Sequence, residues 1–240
     1  MVVAVAGNVE HELVRDLLLE RQPEADSSEP RRTPAVPVVK SRRHFLQKET
    51  EQMHVCIGGL GLARNDDRRF QLSVLDSLFG GSLSSRLFQE VREKRGLVYS
   101  VYSFSSLFHE TGLTGLYFGC RPERLENVIE VVGRELLRLT QEKVPAEELQ
   151  RAKEHLKGRM ILGLESTSSR MTRLGKGVLT ETEILSVDEL AARIEAVTSE
   201  QLLELANEVY KPATLSVVGI GSDEEVFNKA VPEDCLAGLV

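Results

Sequence analysis

The sequence predicts an α+β protein: a mostly antiparallel sheet with helices packed on one face. Three observations carry this. Apolar residues alternate with period two in segments that cluster early in the main body, with a polar, glycine-containing hairpin between two of them. A block follows in which apolar residues recur at helical spacing. A single strand then returns near the end, and strands grouped before a helix block point to helices stacked on a sheet.

The elements follow in order. Residues 2–6 read as a short buried strand, Gly7 and Asn8 as a turn, and residues 11–20 as a helix with Leu13, Leu17 and Leu18 apolar. Residues 21–43 hold Pro23, Pro30, Pro34 and Pro37 among Glu, Asp, Ser and Arg, the composition of an extended or disordered linker. The main body is expected over residues 44–230. Residues 45–58 are extended, with Met53, Val55 and Ile57 alternating against Gln52, His54 and Cys56. Asp66 and Asp67 cap a helix that runs to Phe79. Residues 97–107 and 114–120 form the hairpin around His109, Glu110, Thr111 and Gly112. Pro122 opens a helix carrying Leu125, Val128, Ile129, Val132, Leu136 and Leu139, and Pro145 opens another. Thr198-Ser199-Glu200-Gln201 is a capping box. Residues 214–218 are a strand, Gly219 a turn, residues 223–230 a helix and residues 231–240 a tail. VVAVAGNVEHELV at the start weakly parallels TLSVVGIGSDEEV near the end. Such a repeat implies that residues 1–20 are the tail of a preceding, missing unit.

Composition narrows the function. Hydrophobic residues make up 41% and charged residues 28%, as in an ordinary soluble domain. A net charge of −7 argues against nucleic acid as a partner. Cys56, Cys120 and Cys235 are widely spaced and odd in number, so neither a disulfide framework nor a zinc knuckle is supported. Cys56 and Cys120 are expected to be small buried hydrophobes. No apolar run is long enough to span a membrane, and the opening residues lack a signal peptide's basic flank.

The stretch GGSLSSRLFQEVREKRGLVYSVYS, residues 80–103, concentrates the chemistry. A helix is expected from Ser84, with Leu87, Phe88 and Val91 as its apolar stripe. Arg92, Lys94 and Arg95 crowd its last turn, and Gly96 suits the left-handed position past its end. An extended segment follows, with Val98, Ser100 and Tyr102 on one face and Leu97, Tyr99 and Val101 on the other. Arg92 and Tyr99 then flank a tight turn and can point at one place. A guanidinium and a phenol there could hold a peptide carbonyl or an oxyanion. Residue by residue, Arg92 also fits a dipole-complementing surface cation, and Tyr99 a half-buried strand aromatic. Arg86 and Arg95 read as surface or salt-bridge residues, and Glu147, Glu148 and Glu154 as a solvated helix face. Gly80, Gly81 and Ser82 form a turn with no Gly-Lys-Ser/Thr, so not a phosphate loop. Residues 166–169 with Arg170 and Arg173 lack a Gly-x-Ser-x-Gly elbow and read as a junction between helices.

FGGSLSSRLFQEVREKRGLVYSVYS, LESTSSRMTRLGK and ETEQMHVCIGG resemble the C-terminal half of insulinase (pitrilysin) family zinc metallopeptidases, in the processing-peptidase branch. The resemblance covers roughly residues 1–224. It implies that Arg92 and Tyr99 are the pair this half contributes to the active site of the other half. It also implies that Gly80, Gly81 and Ser82 stand where the branch has a glycine-rich substrate loop, here with a serine in place of a third glycine. The family's zinc motif is His-x-x-Glu-His. Glu10-His11 has Gly7 where the first His belongs, Glu154-His155 has Arg151, and His44, His54 and His109 precede no Glu-His at that spacing. No metal ligand is therefore expected in this chain, and zinc is expected in the missing N-terminal half. The implied partners are that zinc-bearing half, an extended peptide, and a second copy docked through residues 2–20, with no nucleic acid and no membrane. The expected compartment is the cytoplasm, or the mitochondrial matrix. The alternative implied function is a non-catalytic scaffold or partner subunit of the same family.

Overall fold

The computed structural model describes residues 2–21 and 40–232. The elements are α1 (His11–Arg21), β1 (Arg43–Gln47), β2 (Met53–Gly61), α2 (Arg69–Phe79), a π-helix (Phe88–Glu93), β3 (Val98–Leu107), β4 (Gly112–Cys120), α3 (Leu125–Gln141), α4 (Ala146–Leu164), α5 (Thr167–Leu179), α6 (Val187–Glu195), α7 (Ser199–Val209), β5 (Ser216–Gly221) and α8 (Glu224–Ala230). The sheet has five strands in the order β1-β5-β2-β4-β3. Only the β1–β5 pair is parallel; the other pairs run antiparallel. The predicted class holds.

One face of the sheet carries the core. Met53, Val55 and Ile57 of β2, Leu116 and Phe118 of β4 and Val217 of β5 are buried against Leu72, Leu75 and Phe79 of α2, Val128, Val132 and Leu136 of α3, and Leu202 and Leu205 of α7. Each such side chain contributes about 1.5–3 kcal/mol by leaving water. The other face carries Cys56, Tyr102 and Val218, all exposed, with half-buried His54 and Tyr117. The capping boxes at Ser186–Glu189 and Thr198–Gln201 start α6 and α7. Ser166 caps α5, so a junction between helices is present, but it lies at Glu165 and Ser166, and the expected residues 167–169 are already helical.

Several expectations are corrected. Residues 2–6 are not a strand: they lie beside α5, with Ala4 against Gly175, and pair with no described strand. A strand exists only where an edge accepts its hydrogen bonds. Residues 45–58 are two strands, not one, because β5 inserts between β1 and β2. Gly219 lies inside β5 beneath the Phe227 ring, where no side chain fits. Arg68, not an aspartate, stands at the N-cap of α2; Asp66 instead accepts from the Arg68 amide at 2.8 Å. Cys56 is exposed, since it falls on the open face, while Cys120 is buried. Glu148 is not a solvated residue: it takes both forks of buried Arg86 at 2.7 and 3.0 Å. The proposed linker falls almost wholly outside the described residues, as does most of the 231–240 tail.

Candidate active-site face

The Arg92–Tyr99 unit is built by a helix end, a glycine turn and a strand bulge. Helical structure begins at Arg86 and takes π geometry over Phe88–Glu93, with the Lys94 amide bonded to Gln89 O at 2.9 Å. Such turns are uncommon and favour functional positions. The turn ends as the residues dictate. Gly96 adopts φ +59°, and the amides of Gly96 and Leu97 bond back to Arg92 O and Val91 O. This is a Schellman-like closure, one residue wider than the α-helical form.

The chain then enters β3 through a bulge. Val98 pairs with Cys120 and Ser100 with Gly119, so Tyr99 is an extra residue without a partner. Val98 and Val101 both reach the core, and the simple alternation expected from Leu97 to Tyr102 is broken there. Bulges re-aim side chains in this way. Tyr99 is left 77% exposed.

The result brings Arg92 and Tyr99 together. The Arg92 guanidinium carbon lies 4.8 Å from the Phe88 ring centroid and 5.3 Å from that of Tyr99. The cation is held between two aromatic rings, worth about 0.5–1 kcal/mol per contact at an exposed site. Its neighbours are committed elsewhere. Lys94 and Arg95 both bind Glu90, at 2.5 and 2.6 Å, and they hold that carboxyl below its ordinary range. Among the described residues Arg92 itself has only Glu93 as an ion partner, at 3.8 Å. It therefore keeps donors free for an incoming oxygen. Beside Tyr99 a hollow of about 410 Å³ is lined by Gln52, Gly119, Arg121 and Arg124. The sequence reading places Phe88 in an apolar stripe and Gln52 in a strand, and takes neither these two nor Arg121 and Arg124 as site residues. Phe88 was within reach, since it stands one helical turn before Arg92. The others join only through strand pairing.

Gly80, Gly81 and Ser82 do not join this unit. Gly80 is buried, and a Cβ there would collide with the backbone nitrogen of Ser103. A Cβ at Gly81 would stand 3.0 Å from Asp76 O. Both glycines thus have a packing reason. Ser103 lies four residues beyond Tyr99 on β3, roughly 13 Å along the strand. The turn is locked from beneath: the Gly80 and Gly81 amides bond Asp76 O, and Ser103 Oγ donates to Asp76 Oδ1 at 2.5 Å. Burial raises the Asp76 carboxyl above its ordinary range, against the lowering effects of Ser103 and Arg159. Leu83, immediately after this turn, is 73% exposed.

Among the described residues, no group of three or more His, Cys, Asp or Glu side chains could hold a metal ion. The described residues therefore offer no ligand set for zinc. No described helix is long and apolar enough to cross a membrane.

Comparison with known proteins gives the family and the fold. Residues 1–156 match the family described as the peptidase M16 inactive domain. The chain belongs to that family. An uncharacterized zinc protease of Streptomyces coelicolor is 40% identical over 234 residues, covering 94% of this chain and 51% of that protein. One from Bacillus subtilis is 35% identical over 215 residues, covering 88% of this chain and 51% of its own length. The chain thus spans about half the length of the curated relatives it matches. A peptidase M16 inactive domain from Pseudomonas fluorescens superposes with TM-score 0.77 at 22% identity, over 88% of this chain and 50% of the other. A chain of complex III2 from Candida albicans gives TM-score 0.80 at 19% identity, over 93% and 56%. At those identities only the fold is shared.

Proposed function

We propose that this M16 inactive domain is the substrate-clamping half of a zinc endopeptidase, closing over a zinc-bearing half and presenting Arg92 and Tyr99 to an extended peptide. The observation that carries this reading is the stacked, uncommitted Arg92 beside an exposed phenol on a bulge. In this chain the Arg92 fork holds a peptide carbonyl or carboxylate. The Tyr99 hydroxyl donates to the oxygen on which negative charge develops as the peptide bond is attacked. Metal chemistry belongs to the other half, a reading supported by the zinc-protease names of the relatives, which are about twice as long as this chain. Gly80, Gly81 and Ser82 contribute by fixing where Leu83 and Ser84 stand at the substrate-facing surface. Fold alone does not separate this reading from a scaffold subunit, because the complex III2 neighbour shares it. The Arg92–Tyr99 pair favours the peptidase reading, since a scaffold has no use for a half-buried, stacked guanidinium beside an exposed phenol.

The test is reconstitution with a half that carries His-x-x-Glu-His. Chelator-sensitive cleavage of an unfolded peptide is expected from the pair and not from this chain alone. In the pair, Tyr99→Phe keeps the ring and should lower kcat by roughly 10²-fold or more, with little change in KM. Arg92→Ala should raise KM and lower kcat. Tyr102→Phe, on the open sheet face, is the control and should be near neutral. Full activity in Tyr99→Phe, or cleavage by this chain alone, would overturn the reading.

A further inference from the structure

At the other end of the sheet the described chain holds a second, strongly cationic cavity. It lies between the segment leading into α2 and the α5–α6 connection, with a volume of about 270 Å³. Four cationic side chains line it, Arg64, Arg69, Arg173 and Lys176, against one carboxylate, Glu183. This concentration occurs in a chain whose net charge is −7. Arg64 is tied to Leu107 O at the end of β3, eight residues beyond Tyr99, so the cavity stands roughly 26 Å along the strand from the Arg92–Tyr99 pair.

Carbonyls of the fold meet only part of what these cations can donate; Arg69 Nη1, for one, donates to Asp66 O at 3.3 Å. Arg64 and Arg173 each spend one terminal nitrogen on a backbone carbonyl, Leu107 O and Leu185 O. Neither forms a salt bridge within the described residues. Arg64 Nε is buried with no acceptor among the described residues, an arrangement that is costly when nothing fills it. Arg69 sits in the first turn of α2, where the helix dipole disfavours a positive charge. Its side chain is 13% exposed, and its nearest carboxylate, Asp67, is 3.8 Å away and 87% exposed. Other nearby acids are committed: Glu208 and Asp66 to Arg68, and Glu189 to the capping box of α6. The ring of Phe70 also lines the cavity, packed between Arg69 and Arg193, with their guanidinium carbons 4.5 and 6.0 Å from its centroid.

We propose that this cavity is a binding site for a compact, multiply charged oxyanion of the phosphate class. Guanidinium forks match the oxygens of such an anion. A single carboxylate would leave most of the positive charge unpaired. The volume is slightly below the ~300 Å³ lower end of small-molecule sites, so it suits a phosphate or diphosphate group. That group can come as the free inorganic ion or as the end of a phosphate ester. Arg173 belongs to the stretch that reads in sequence as a helix junction, and Lys176 follows it in α5; only tertiary structure brings them to one cavity with Arg64 and Arg69.

Calorimetric titration of the full chain with inorganic pyrophosphate at low ionic strength tests this. Saturable binding is expected with Kd of about 1 mM or tighter. The double variant Arg173→Gln/Lys176→Gln, at partly exposed positions, should weaken it about tenfold or more while the melting curve is retained. Arg134→Gln/Lys143→Gln removes the same charge from the α3 surface and the turn after it, and should change little. Adenosine diphosphate binding more tightly than pyrophosphate would identify an ester as the source; equal or weaker binding would identify the free ion. No saturable binding, an equal loss in both double variants, or tighter binding of citrate than of pyrophosphate would overturn the proposal.

Discussion

At the residue scale, the chain shows how environment separates like side chains. Among the cations of the π-helix end, Lys94 and Arg95 are neutralised by Glu90, while Arg92 is held by aromatic faces instead. Asp76 is the complementary case, a carboxylate under the glycine turn whose burial favours its neutral form. Its folded value lies above the ordinary 3.8, so its stabilising contribution is complete below that pH and is lost as pH rises through the folded value. Asp76→Asn keeps an acceptor for Ser103 and removes the charge. Melting temperature measured from pH 4 to 7 should then fall less with rising pH than in the parent chain. An unchanged slope would show that Asp76 is ionised at little cost in the fold.

At the element scale, the decisive features are two departures from regular structure. The π-turn and the bulge at Tyr99 lie on either side of Gly96, and together they aim Arg92 and Tyr99 at each other. Gly96 at φ +59° is the hinge point, and a Cβ there meets no atom within 4 Å. Gly96→Ala should therefore destabilise through backbone strain alone, by about 1–2 kcal/mol. Denaturant unfolding should show a lower midpoint with the slope unchanged. A larger loss would mean that the turn also packs against something.

At the scale of the whole molecule, the sheet and its helix layer form one core, and the N-terminal segment stands outside it. Helix α1 buries no residue, and Leu13, Leu17, Leu18 and Leu19 are exposed. Removing residues 2–21 should leave the melting temperature within about 2–4 °C of the parent, a shift that corresponds to roughly 1 kcal/mol or less in a domain of this size. A large drop would place these residues in the cooperative unit.

Local pattern and local chemistry carried much of this protein in the sequence. The α+β class, the helix cap at Thr198, the β3–β4 hairpin, the left-handed Gly96 and the pairing of Arg92 with Tyr99 all depend on residues close together in the chain. Their signals are periodicity, capping and turn stereochemistry, which act over a few residues. Tertiary structure decided the rest. Residues 2–6 have strand-like composition but find no edge to pair with. Cys56 is exposed and Glu148 shielded because of which faces other elements cover. Tyr99 and Val101 part company because a bulge depends on strand partners that local alternation does not contain. Gly80 is required by Ser103 across a strand, and the cations of the second cavity meet only when the segment leading into α2 faces the α5–α6 connection. Each of these outcomes rests on contacts between distant segments, whose geometry is set by the packing of the whole fold rather than by any short stretch of sequence.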